Sequence, residues 1–151
     1  MSIDLRIKAL SPKIGTELPI PSYATAGSAG MDLRACLDEP LTLNPGDRVG
    51  VPTGFAIALP GPEWVAYIFA RSGLGIKNGI TLPNCVGVID SDYRGELIVA
   101  LTNLSDTPYT VQPGDRVAQL VISPVIQANI SVVDELDETE RGAGGFGSTG
   151  K

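Results

Sequence analysis

Asp90 closes the short apolar run Val86-Gly87-Val88-Ile89, and a turn-forming cluster, Ser91-Asp92-Tyr93-Arg94-Gly95, leads from it into a second apolar run. A carboxylate at the rim of an apolar strand is expected to be partly desolvated. Burial disfavours its charged form and moves it toward a useful general base. The same residue would also serve as an ordinary turn cap, and the local sequence permits both readings. The chain has no histidine, so Ser-His-Asp, Cys-His and His-zinc chemistry is excluded. The base is then sought among Asp and Glu, and any metal is expected to be a hard cation such as magnesium, bound through oxygens.

Other stretches carry groups suited to phosphate. Ala70-Arg71-Ser72-Gly73-Leu74-Gly75 sets an arginine before a hydroxyl and glycines, an arrangement that holds phosphate at a helix start or simply makes a turn. Met31-Asp32-Leu33-Arg34 places Asp32 between apolar residues, where an ion pair with Arg34 is expected and a supporting role behind a metal is the alternative. Gln119 lies in the otherwise apolar strand 116–123 and must find a main-chain or ligand partner. The glycine-rich end, from Arg141 through Phe146 and Gly147 to Ser148 and Thr149, has the glycine and hydroxyl spacing of a P-loop but neither its lysine nor a following helix. Its successive N–H groups suit an anion. An aromatic in such an arm suggests docking on something flat or apolar.

Eighteen glycines and twelve prolines punctuate short runs of Val, Ile, Leu and Thr without long helical periodicity, a pattern of sandwiches and barrels. Candidate strands are 3–10, 31–35, 41–43, 48–51, 55–59, 64–70, 80–82, 86–89, 96–103, 109–111, 116–123 and 130–135, with one short helix over 72–78 capped by Ser72. Pro-Gly-Asp-Arg-Val occurs at 45–49 and again at 113–117. Each copy reads as a type II turn before a strand. The fold class expected is all-β: an antiparallel, jelly-roll-like barrel or sandwich with one short helix and a flexible Gly-rich C-terminal arm. A domain is expected over 1–135 and the arm over 136–151.

At 151 residues the chain suits one domain with a real core. Its net charge of −6, with no Lys or Arg run, argues against polymeric nucleic acid or an anionic membrane as partner. A small phosphorylated ligand remains compatible, because local arginines, backbone N–H groups and a divalent cation neutralise phosphate. Two cysteines, Cys36 and Cys85, lack metal-ligand spacing and are expected as buried free thiols. With no basic and apolar leader and no membrane-spanning run, a soluble cytoplasmic protein is expected.

Taken together and in order, the stretches 26–35, 71–75, 84–95, 114–121 and 141–147 resemble the five motifs of the trimeric dUTPases, the deoxyuridine triphosphate nucleotidohydrolases. The resemblance spans almost the whole chain. It implies a β jelly roll forming a threefold homotrimer whose active sites are each built from three subunits. It further implies hydrolysis of dUTP to dUMP and pyrophosphate by water attack on the α-phosphate, which limits uracil in DNA and supplies dUMP for thymidylate synthesis.

By that resemblance Asp90 is the general base, and Asn84, Gly87, Tyr93 and Phe146 contact uracil and deoxyribose. Arg71, Ser72, Gly73, Gln119, Arg141, Gly147, Ser148 and Thr149 contact phosphate. Magnesium (Mg2+) is implied as cofactor, bound mainly by the triphosphate with no direct protein ligand, and Asp32 is a candidate for its outer shell. A dCTP deaminase-like enzyme on the same fold, and a non-catalytic jelly-roll binding module, are the rival readings.

Overall fold

The computed structural model describes residues 2–145. Ten strands and one helix follow in the order β1 (Arg6–Ala9), β2 (Met31–Arg34), β3 (Leu41–Leu43), β4 (Arg48–Ala58), β5 (Trp64–Ala70), α1 (Ser72–Asn78), β6 (Ile80–Thr81), β7 (Val86–Ile89), β8 (Glu96–Asn103), β9 (Tyr109–Val111) and β10 (Arg116–Pro124). Every strand pairing is antiparallel. The expectation of an all-β, antiparallel protein with one short helix is met.

Two four-stranded sheets, ordered β1-β4-β8-β6 and β2-β10-β5-β7, contribute to one core, and β3 pairs with β9 in a small third sheet. Side-chain alternation decides what each sheet buries. On β8, Leu97, Val99 and Leu101 are buried while Ile98 between them is exposed. On β2, Met31 and Leu33 point to the core, which leaves Asp32 and Arg34 on the outer face. Leu120 and Ala118 do the same on β10, turning Gln119 outward.

The repeated Pro-Gly-Asp turns form as expected. Gly46 and Gly114 both sit at φ 83, and Asp47 N–H donates to Asn44 O at 3.0 Å as Asp115 N–H does to Gln112 O at 3.1 Å. Each aspartate also turns its carboxylate back on its own turn, accepting from Asn44 N (2.7 Å) and Gln112 N (2.8 Å) respectively. The turns follow β3 and β9, so the antiparallel pairing of these strands sets them at opposite ends of the small sheet.

Four local expectations are corrected. The stretches 48–51 and 55–59 belong to one strand, β4, because Pro52-Thr53-Gly54 is a bulge with Gly54 at φ 79 rather than a turn. Its polar groups are satisfied across the sheet: Thr53 Oγ1 donates to Leu97 O at 2.7 Å, and Gly54 N–H donates to Glu96 Oε1 at 2.7 Å. The N-cap of α1 is Arg71, not Ser72, and no side chain caps it. Cys85 is exposed and Cys36 half-buried, so neither thiol is the fully buried kind expected. The stretch 130–135 forms no strand; Ile130 and Val132 are 91% and 97% exposed, with no neighbouring strand to pair with among the described residues. Irregular exposed chain runs from 126 to 144.

Among the described residues no helix is long and apolar enough to cross a membrane. The most connected buried polar group is Asn103, fully buried, whose Nδ2 donates to Leu43 O (3.0 Å) and Thr107 O (2.8 Å) and whose Oδ1 accepts from Ser105 N (2.9 Å) and Oγ (2.7 Å). It ties the end of β8 to β3 and to the loop before β9. Replacing Asn103 by Ala orphans these partners, and a loss of roughly 3 kcal/mol is expected. A urea unfolding midpoint close to that of the parent protein would contradict this.

Candidate functional site

The candidate side chains gather at two places on the sheet β2-β10-β5-β7. Pairing aligns Asp32 with Gln119, Gln119 with Phe69, and Phe69 with Val86, so one row crosses the whole sheet. At the β2–β10 side of this row the Asp32 carboxylate is engaged on both oxygens, Oδ1 by Arg71 Nε at 3.1 Å and Oδ2 by Arg116 Nη1 at 3.2 Å. Arg71 Nη1 also donates to Arg116 O at 3.0 Å. Gln119 Nε2 donates to Ala70 O at 3.1 Å, which answers the need for a partner.

The expected Asp32–Arg34 ion pair does not form. Arg34 shares the outer face with Asp32 but donates instead to Gly114 O at 2.8 Å, leaving Asp32 to the arginines that arrive from β5 and β10. Ser72 and Gly73 follow directly, exposed in the first turn of α1. The result is an arginine-rich corner in which one carboxylate fixes two guanidinium groups without removing them from solvent.

The second group flanks β7. Before it, Asn84 Nδ2 donates to Val86 O at 3.1 Å and Val86 N–H donates to Asn84 O at 2.7 Å, a tight loop centred on Cys85 at φ 63. A non-glycine residue at positive φ is uncommon and costs conformational energy. Gly87 lets the β7 backbone lie close to β5, since a β-carbon there would come within 3.0 Å of Ile68 Cβ. After β7, Tyr93 N–H donates to Asp90 O at 3.2 Å, closing the expected turn. Asp90 and Tyr93 line a cleft of about 170 Å³ with Val88, Ile89, Glu96 and Ile98. Asp90 also borders a larger hollow of about 550 Å³ beside Trp64 and Tyr67.

Asp90 itself is exposed, so the partial desolvation expected at the strand rim is not supplied by this protomer. The register explains why Asp90 does not meet the arginine corner: Asp90 follows Ile89, which faces Ala66, whereas Arg71 lies past the far end of β5. Six residues of extended chain separate their positions, roughly 20 Å at the ordinary rise. Arg141 joins neither group; its Nε donates to Gly144 O at 2.9 Å within its own turn. Phe146, Gly147, Ser148 and Thr149 lie outside the described residues.

Among the described residues no cluster of three or more Cys, Asp or Glu side chains offers a metal site. With both Asp32 oxygens held by guanidinium groups, this chain's donors do not form a cage for magnesium.

A dUTPase family model matches residues 16–150. The chain belongs to the dUTPase family. A deoxyuridine 5'-triphosphate nucleotidohydrolase of Aeromonas salmonicida is 56% identical over 151 residues, covering 100% of this chain and 99% of the relative. Among solved structures, a point mutant of the Staphylococcus bacteriophage 80alpha dUTPase with dUpNHpp superposes with a TM-score of 0.85 at 26% identity, covering 98% of this chain and 99% of its own. A mutant dUTPase from phage phi11 of S. aureus, described with a structural Mg(II) ion, superposes at 0.75 with 24% identity over 87% of this chain and 97% of its own, a likeness of fold.

Arg116 and Tyr109 also lie near the arginine corner, which the dUTPase sequence alone does not indicate. Arg116 stands in the repeated Pro-Gly-Asp-Arg segment and reads there as part of a turn; by register it faces Arg34, and only its side chain reaches across to Asp32. Burial raises the Tyr109 hydroxyl above its ordinary value of 10.0; Asp115 adds to the rise and Arg71 opposes it. The folded state therefore holds this proton more tightly than the unfolded state. That stabilisation is complete below pH 10.0 and is lost as pH rises through the higher folded value. In an ultraviolet titration one tyrosine should ionise late, and Tyr109→Phe should remove that late phase.

Proposed function

We propose that the chain hydrolyses dUTP to dUMP and pyrophosphate, with the hairpin around β7 selecting the nucleoside and activating water. The observation that carries this reading is the cleft shared by Asp90 and Tyr93 at the end of β7, in a chain of the dUTPase family. The Asp90 carboxylate orients a water and takes its proton as the water oxygen bonds to the α-phosphorus. The bond from that phosphorus to the bridging oxygen breaks, and pyrophosphate leaves.

Asn84 and the backbone at Gly87 read the uracil edge. A cytosine would present a donor where uracil presents an acceptor, leaving polar groups mispaired. Tyr93 packs on deoxyribose and occupies the space of a ribose 2′-hydroxyl. Arg71, Ser72, Gly73 and Gln119 hold the phosphates, with Asp32 fixing the Arg71 guanidinium. The segment 136–151, through Arg141, Phe146, Gly147, Ser148 and Thr149, closes over the substrate and excludes bulk water. Magnesium, when bound, would be held mainly by the triphosphate oxygens and would neutralise their charge, with Asp32 available only to its outer shell.

The distance between Arg71 and Asp90 within one chain supports sites shared between copies, and the assembly proposed is a homotrimer. A phosphate held at Arg71 and a water held by Asp90 of the same chain are too far apart to react, so the grip and the base come from different copies. Exposed Ile126, Ile130, Val132 and Leu136 support association, because irregular chain of this apolarity is left uncovered by the described residues. The proposed location is the cytoplasm, and neither nucleic-acid polymers nor membranes are partners. The deaminase and non-catalytic readings gain no support from the nucleotidohydrolase relatives.

Pyrophosphate release should be strong with dUTP and weak with dTTP, dCTP and UTP. Asp90→Asn should lower turnover roughly a thousandfold while dUTP still binds; turnover near that of the parent would remove Asp90 as the base. Asp90→Asn and Arg71→Ala subunits, each inactive alone, should regain part of the activity when unfolded and reassembled together. No recovery in verified mixed assemblies would place both residues in one protomer's site.

A further inference from the structure

We infer that Gly95 is a positioning residue for sugar selection: it is kept bare of a side chain so that the Tyr93 phenol can lie against the backbone. This rests on the reading of Tyr93 as the side chain that meets deoxyribose. A β-carbon built on Gly95 would stand 2.5 Å from Tyr93 Cζ and closer still to the hydroxyl oxygen. Real β-carbons do not tolerate such separations, so the ring would have to move.

The hydroxyl is also anchored. Tyr93 Oη donates to Glu96 O at 3.1 Å. The backbone that presents this carbonyl is itself fixed, since Glu96 Oε1 accepts from Gly54 N–H at the β4 bulge and Leu97 O accepts from the buried Thr53 hydroxyl, both at 2.7 Å. The phenol is thereby clamped between a bare Cα and a carbonyl tied into the core. Gly95 is not among the positive-φ residues, so alanine meets no backbone strain there and acts on the phenol alone. A surface of this kind selects by excluded volume, and a displaced ring makes room for the 2′-hydroxyl of a ribonucleotide.

The test is the ratio of kcat/KM for dUTP to that for UTP, read by pyrophosphate release on the full assembled protein. Gly95→Ala should lower the ratio about tenfold, the scale on which one misplaced packing contact alters discrimination. Tyr93→Phe, which keeps the ring but loses the anchor, should lower it about fivefold. In a Tyr93→Ala background, Gly95→Ala should leave the ratio unchanged within about twofold, because the residue it acts through is gone. A merely structural glycine would lower melting temperature and both kcat/KM values together, leaving the ratio intact. If Tyr93→Ala keeps the full preference for dUTP, the reading of Tyr93 fails and this inference with it. If Tyr93→Ala loses the preference while Gly95→Ala and Tyr93→Phe keep it, or if the two alanine effects add, the inference about Gly95 alone is overturned. Should Gly95→Ala fail to assemble, Tyr93→Phe still decides whether the clamp holds the ring.

Discussion

The pairing of β5 with β10 on one side and β7 on the other governs where chemistry is possible in this molecule. β5 aligns Phe69 with both Gln119 and Val86, which brings the phosphate-suited residues to its C-terminal end. Asp90 leaves β7 at the opposite end, because antiparallel strands run their ends past each other. A one-residue slip of either pairing would exchange the faces of the sheet and scatter both groups. Leu120, Ile68 and Ala66, buried on the inner face, oppose that slip. The apolar core thus fixes the separation between the arginine corner and Asp90.

Charge is handled locally in a chain whose net charge is −6. Asp32 draws Arg71 and Arg116 together, and two guanidinium groups against one carboxylate leave a positive excess at that corner. With side-chain exposures of 27% and 50% these arginines remain partly hydrated, so their pairing with Asp32 is worth little as stability. Its value is orientation: a guanidinium already held by Nε presents its remaining donors in a fixed fork. The overall negative charge therefore says little about which small ligands the protein takes, and much about which polyanions it avoids.

Much of this was legible in the sequence, for physical reasons that also mark the limits. Strands with a clean inward and outward alternation, such as Glu96–Asn103, were readable because burial is decided residue by residue. The type II turns were readable because proline and glycine prescribe their dihedral angles. Asp90 and Tyr93 were legible as neighbours on one turn. The partner of Asp32 was not, since Arg34 is close in sequence while Arg71 and Arg116 arrive through pairing with β10 and β5. The bulge at Gly54 was hidden for the same reason: Pro52-Thr53-Gly54 carries every sign of a turn, and only the carboxylate of Glu96 and the carbonyl of Leu97 make it continuous strand. The segment 130–135 has strand composition but no partner among the described residues, and composition cannot supply one.

That last mismatch belongs with the exposure of Asp90. A carboxylate that is to act as base at neutral pH gains from a dry surround, and an apolar segment gains from being covered. Within one protomer neither condition is met. In the proposed assembly a second copy would supply the phosphate grip to Asp90, and the exposed apolar chain would be available to be covered. Association would then do more than stabilise: it would make catalysis conditional on assembly, because one subunit alone would not bring the triphosphate and the attacking water together.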